Sequence, residues 1–470
     1  MSTGISEVFA TLRGNFRGDL LRPVDPQYAQ AREIWNALVA RTPGLIARCA
    51  DVADVQLAVR SAVAADVLTA VRCGGHSLAG FSSCDGGLVL DLSRMREVSV
   101  DAKSRRARFA GGSLLGTVDS STQAKGLVFP AGVVSHTGAG GLVLGGGTGW
   151  LARLFGLSCD NVEGFAMVAA DGSLVRADAR ENGELFWALR GGGGNFGIVT
   201  EFEVRLHPLS SVLLATSYAS GDDIYNILCD WREFMPEAPD ELKWNISLCL
   251  APTRSDVLDK TRGKPAASIS LAWFGDPEEG SRIVDRIFSM RTHFARTRKT
   301  MSFLELQTMA DGDFPHGRRY YTKSGYFSAL DDRTIQIMIE ALPSIPSPKT
   351  QIELAYLGGA VSRVGASETA FGDRSAAFVL NLLADWSDPK DDAANVGWIR
   401  NLFNALRPAM KPGVYVNFMS GDEQERVPEA YHERWERIVA VKSHYDPRNF
   451  FRLNQNIQTA KSQPTGRQPR

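Results

Sequence analysis

The spacing of apolar residues divides the chain into two textures. Residues 53–65 (ADVQLAVRSAVAA) carry apolar side chains at helical spacing, and Asp51 just before them is placed as an N-cap. Residues 67–71 form a short β-rich run that ends in Arg72-Cys73-Gly74-Gly75-His76-Ser77, and 87–92 (GLVLDL) read as a buried strand. Segments 97–101 and 105–110 flank Ala102-Lys103-Ser104 as a hairpin, and 164–177 form a second one turning at Asp171-Gly172. The pattern predicts helices over 113–125, opened by Ser113 as its cap, and over 182–189, then an alternating strand over 198–206. After His207-Pro208-Leu209 the character changes. Amphipathic helices (222–234, 277–290) alternate with strands (243–250, 267–273) to about residue 410, a helix follows over 431–445, and 461–470 read as a frayed tail.

Composition sharpens this picture at one place. Of 45 glycines in 470 residues, 26 lie between Gly74 and Gly197, about a quarter of the chain, so function is sought there first. The balance of 52 Lys and Arg against 53 Asp and Glu argues against a nucleic-acid partner, which demands a cationic excess. No apolar run reaches the roughly 18–20 residues of a membrane helix, and the first residues show no secretory pattern. Six cysteines without a CxxC pair, and seven histidines without HExxH or HxxxH, predict a reduced cytoplasmic protein with no metal site.

Glycine lets backbone N–H groups approach a phosphate closely. Three such loops occur in order: RCGGHS at 72–77, HTGAGGLVLGGGTG at 136–149 and RGGGGNFG at 190–197. The middle loop runs into the helix-like WLARLF, which would aim a helix N-terminus at an anion. A Rossmann NAD fold is disfavoured, because its single GxGxxG follows the first strand whereas the densest loop here comes after residue 130. A lone histidine is most often structural. His76 stands out by its setting, with Arg72 and two glycines before it and Ser77 after it.

RCGGHS, GGLVLDLSRM (86–95), GLSCDNV (156–162), LFWALRGGGGNFGIVTEFEVRLHP (185–208) and YDPRNFFRLNQNI (445–457) together resemble the FAD-linked oxidases of the vanillyl-alcohol-oxidase superfamily. The branch is the berberine-bridge-enzyme-like one, which includes the hydroxynicotine and oligosaccharide oxidases. The resemblance implies an α+β fold: a two-part PCMH-type FAD-binding domain (1–207), a substrate domain with an antiparallel sheet covered by helices (208–412), and a C-terminal segment (413–460) that returns to the FAD domain. It implies covalent FAD on His76, with Arg72, Cys73, Gly74, Gly75 and Ser77 in the first loop and Gly80 just after it. His136, Thr137, Gly138, Gly140, Gly141 and Gly146 would follow in the middle loop. Gly197, Ile198 and Val199 match the adenine end, and Tyr415, Asn417 and Asn454 match positions that close over the flavin. The activity implied is oxidation of a C–H bond of a small alcohol, sugar-like compound or amine by hydride transfer to flavin N5, with O₂ as acceptor giving H₂O₂. A dehydrogenase, an oxidative-cyclisation enzyme and a non-catalytic flavin-binding protein remain open, as does monomer or homodimer.

Two departures from the family matter. Where relatives carry a second flavin-linking cysteine, this chain reads Ala131-Gly132-Val133-Val134-Ser135-His136, with Val134 at the cysteine's place, so a single link is expected. Cys159 reads as a packed small hydrophobe. The family's catalytic tyrosine is Phe418 here, in Tyr415-Val416-Asn417-Phe418, and phenylalanine accepts no proton. The candidate catalytic groups are therefore Tyr321 and Lys323, which share a strand face by alternation, with Asn417. Glu353 and Asn381 are further candidates for the base, and Tyr321, Glu353, Asn381 and Phe418 are candidate substrate contacts.

Overall fold

The computed structural model describes residues 3–253 and 261–459, so the tail expected over 461–470 lies outside the described residues. Three sheets of four or more strands organise the described residues, beside a two-stranded pairing of Leu127–Val128 with His207–Pro208. The first has the strand order Asp19–Leu21, Leu45–Arg48, Leu88–Asp91, Thr69–Arg72, its last three strands parallel. The second, antiparallel, runs Val98–Asp101, Arg106–Ala110, Ile198–Arg205, Val162–Val168, Leu174–Asp178. Both hairpins read from the pattern are present, and Gly172 supplies the positive φ of +79° that the second one turns on. Helix Val52–Ala64 is capped by Asp51, whose carboxylate accepts from Asp54 N.

The third sheet has seven antiparallel strands ordered Phe294–Met301, Val212–Ser220, Pro265–Trp273, Leu242–Leu250, Gln351–Tyr356, Phe378–Trp386, Arg319–Phe327. One face packs on helices Ile224–Phe234, Pro277–Met290, Asp332–Ala341 and Asp392–Leu406 around Trp231, Ile335, Leu382 and Ile399. The C-terminal segment returns to the second sheet. Val416, Met419, Tyr431, Ile438 and Ile457 join the core that holds Phe109, Phe165 and Phe202. Lys442 fastens this return: its fully buried ammonium donates to Asp446 (2.6 Å), Asn195 O (2.8 Å) and Phe451 O (3.0 Å). Among the described residues no helix is long and apolar enough to cross a membrane.

Three local readings are corrected. The helix expected from Ser113 is Leu115–Gln123 and has no side-chain cap; Leu114 instead bridges to Gly138, and the Ser113 carbonyl accepts from Ala139 N. WLARLF yields only the four-residue helix Ala152–Phe155, too short to present an anion site. The helix read over 431–445 breaks at His432, whose φ of +45° separates Val427–Tyr431 from Trp435–Tyr445.

Candidate active site

The three glycine loops converge on one cavity of about 410 Å³. They meet backbone to backbone: a Cβ built on Gly74 would lie 2.3 Å from Gly138 N, and one on Gly138 equally close to Gly74 N. Other glycines face open space. Gly141 and Gly194 line the cavity, and a Cβ there meets nothing within 4 Å, so a side chain would project into room a ligand needs. Of the expected cofactor contacts, Cys73, Gly74, Gly75, His76 and Ser77 line the cavity, as do Thr137, Gly138, Gly140 and Gly141. Gly197, Ile198, Val199, Tyr415, Asn417 and Asn454 complete that set.

Four expected contacts do not line it. Arg72 is turned to Asp91, its register partner on the parallel neighbour strand, in a buried 2.7 Å ion pair that anchors the first loop from behind. Gly80 packs on Val39, and Gly146 lies under Phe371. His136 stands behind the wall with its Nδ1 2.7 Å from His76 Nε2. His76 itself is half-buried, with Trp35 stacked on its ring at 4.7 Å and Thr137 Oγ1 3.5 Å from Nδ1. Burial, and then the neighbouring His136 and His316, push its pKa well below the usual histidine value, which favours the neutral ring, one nitrogen carrying a proton and the other a lone pair.

The opposite wall is the inner face of the seven-stranded sheet. Glu353 and Asn381 are direct cross-strand partners, and Asn381 Nδ2 donates to Glu353 Oε2 at 2.6 Å. Burial raises the Glu353 carboxyl above its ordinary value, opposed by the Asn381 bond. Thr322 and Leu383 flank the pair, with Phe314, Trp35 and Phe418 as apolar surroundings. Phe418 sits edge-on to Tyr415, ring centroids 4.8 Å apart.

Tyr321 and Lys323 do share a face, as alternation requires, but it is the other face. Tyr321 packs in the helix-covered core, its hydroxyl donating to Asp422 (2.8 Å) and accepting from Arg400 Nε (3.0 Å). Lys323 pairs with Asp422 and Glu423. Neither lines the cavity, and both are withdrawn as catalytic candidates in favour of the face that carries Thr322. Asn417 lines the cavity, yet its Nδ2 is engaged with Leu142 O (3.0 Å) and Tyr415 Oη (2.8 Å), which makes it a support for the loop. The Tyr415 phenol accepts also from Gly147 N, and burial pushes it up to about 12.

Several residues were missed by sequence reading. Trp35 and Leu383 carried no motif. Thr322 was signalled by the same alternation that paired Tyr321 with Lys323, read on the opposite parity. Asn195 lay within the third loop; its side chain ties Gly192 O and Gln455 O to the loop while accepting from Ile457 N. His316 carried no motif either, and it comes together with the expected contacts His76 and His136, one ring nitrogen of each within 4.8 Å of the others.

The site fits FAD on its own features. The polar atoms Ser82 Oγ and Asn454 Oδ1 are buried on the lining without a partner among the described residues, and the backbone cradle is open at Gly141 and Gly194. Val134 lines the cavity without a nucleophile. Cys159 is buried in a separate apolar cluster, and burial holds its thiol well above the ordinary value. Cys73 does reach the cavity, but burial pushes its thiol up to about 11.

Comparison with known proteins agrees. Residues 43–178 match the FAD binding domain model, and 414–458 match the berberine and berberine-like model. An FAD-linked oxidoreductase of Dictyostelium discoideum is 30% identical over 97% of both chains. (R)-6-hydroxynicotine oxidase of Paenarthrobacter nicotinovorans is 29% identical over 94% of this chain and 97% of that one. Among solved structures, 6-hydroxy-D-nicotine oxidase of Arthrobacter nicotinovorans superposes with a TM-score of 0.86 at 27% identity, covering 97% of this chain and 99% of that one. A chitooligosaccharide oxidase at 22% identity and a TM-score of 0.84, covering 97% and 99%, shares the fold.

Proposed function

This chain belongs to the berberine-bridge-like FAD-linked oxidoreductases, and from that premise we propose that it tethers FAD through His76 alone and oxidises a small alcohol, sugar-like compound or amine at the Glu353–Asn381 wall. The observation that carries the reading is one cavity with a neutral histidine and open glycine loops on one side and a raised-pKa carboxylate on the other. FAD, when bound, would supply the two-electron acceptor for the substrate C–H bond, with O₂ as the proposed final acceptor giving H₂O₂.

The protein's own groups do the rest. Backbone N–H groups of the loops and Asn454 would hold the polar parts of the cofactor. His76 offers its lone pair for the tether, and Val134 leaves no second one. Glu353 accepts the proton of the substrate O–H or N–H, oriented by Asn381, because burial raises its proton affinity above that of an ordinary carboxylate. Tyr415 and Asn417 fix the loop beneath, while Leu383, Phe314, Trp35 and Phe418 exclude water. Six free cysteines support a reducing, cytoplasmic setting.

Anaerobic mixing of the purified protein with a panel of alcohols, sugars and amines tests the reading. Bleaching of the flavin by at least one class, with H₂O₂ formed on readmission of air, is expected. Bound flavin that no class bleaches would leave a binding protein rather than an oxidase.

A further inference from the structure

The densest group of side-chain chemistry beyond the proposed proton acceptor is the histidine cluster that His76, on the cavity lining, forms with His136 and His316. Its members come from three remote segments: the RCGGHS loop, the middle loop and the turn before strand Arg319–Phe327. His76 Nε2 and His136 Nδ1 are 2.7 Å apart, and the His316 ring lies 5.5 Å from that of His76 and 5.1 Å from that of His136. The cluster is held from outside. Trp35 stacks on His76, and Asp311 binds both the backbone N–H (2.8 Å) and the hydroxyl (2.5 Å) of Ser135, which ties the middle loop to the segment carrying His316. His316 is exposed, so an ion has a path from solvent.

We propose that His76, His136 and His316 form a site for one divalent transition-metal ion of the Zn²⁺ class, with water as the fourth ligand. Imidazole nitrogen suits Zn²⁺, Co²⁺ and Ni²⁺, and three histidines plus an open position form a recurrent tetrahedral arrangement. Metal–nitrogen bonds of about 2.0–2.1 Å place tetrahedral ligand nitrogens roughly 3.3 Å apart. The His76–His136 pair is closer because it shares a proton. With His136 as the donor, that proton moves to its own Nε2 as the metal enters, and small side-chain rotations open the pair. No redox change accompanies binding.

The site does not rest on the flavin reading. It engages His76 Nε2 and leaves Nδ1 facing Thr137, a cavity-lining residue. An imidazole substituted on one nitrogen keeps a lone pair on the other, so tethered and untethered chains both offer three donors.

Purified full-length protein, stripped with EDTA and desalted, is titrated with Zn²⁺ against a chromophoric chelator. One Zn²⁺ per chain is expected, with affinity at least tenfold weaker in His136→Ala and in His316→Ala and unchanged in His444→Ala, an exposed histidine elsewhere. Because His316 is on the surface, His316→Ala keeps the fold, checked by circular dichroism. Zn²⁺ should raise the melting temperature of the wild type and not of this variant. Absence of stoichiometric binding at 1:1 excess-free titration, or one Zn²⁺ bound equally well by both variants, overturns the proposal.

Discussion

The glycine-loop wall of the cavity and its sheet wall use the chain in opposite ways. On the loop side the working groups are backbone, brought close by residues without side chains, and the loops touch through Gly74 and Gly138. On the sheet side the working groups are side chains, selected by the two-residue alternation of strands whose other face is sealed by helices. A backbone wall demands glycine and leaves a dense local signature. A side-chain wall can be rebuilt residue by residue on the same strands, and its signature is a parity rather than a motif. On the proposed function, the first therefore reports the cofactor and the second decides the substrate.

The most disruptive change to this division is Glu353→Gln. On the sheet wall it removes the proposed proton acceptor and should lower kcat/KM by about 10²–10⁴-fold while the flavin spectrum is unchanged. In the wild type, kcat/KM should rise with pH through a value above the ordinary carboxylate range, since Glu353 must be ionised and burial resists that. The stability consequence has the opposite sign. The native state keeps the Glu353 proton to higher pH than the unfolded chain does, so stability declines as pH climbs from the ordinary carboxylate value through the raised one. Glu353→Gln should flatten that part of a melting-temperature profile.

On the loop wall, Gly141→Val should cut flavin content by roughly tenfold, an overpacking effect inside the cavity, with circular dichroism unchanged. Gly138→Ala should instead destabilise the chain itself, because its Cβ meets the Gly74 backbone, and thermal melts separate the two cases. A smaller effect is expected from Tyr321→Phe on the outer sheet face. Loss of its bonds to Asp422 and Arg400 should cost about 1–2 kcal/mol in urea unfolding, with kcat/KM within roughly threefold of wild type. Were Tyr321→Phe to abolish turnover, the assignment of the two faces would be reversed. Smallest is Asp51→Ala, remote from both walls, at about 1 kcal/mol of stability from the lost cap and no change in activity.

What could be read from sequence follows the same division. Helix Pro277–Met290 and both hairpins are set by local chemistry, by the Asp276 cap and by turns such as Asp171-Gly172, and they appear where the pattern put them. The glycine loops were legible as a cofactor site because their residue types admit few other uses. Arg72 was misjudged because its partner, Asp91, is 19 residues away on a parallel neighbour, and a charge in a motif does not show which way it turns. Tyr321 and Lys323 stand together as alternation requires, but on the helix-covered face. Alternation fixes which residues stand together, whereas the packing of Asp392–Leu406 decides which set is covered. The histidine cluster was illegible, since its members are joined only by tertiary contacts.

The tether at His76 is the claim on which the two-wall account rests, and acid precipitation tests it most directly. Wild-type protein precipitated in trichloroacetic acid should carry its yellow, fluorescent flavin into the washed pellet, and His76→Ala should give a colourless pellet with any flavin in the supernatant. Flavin released entirely from the wild type, or retained to the same extent by His76→Ala, would contradict it.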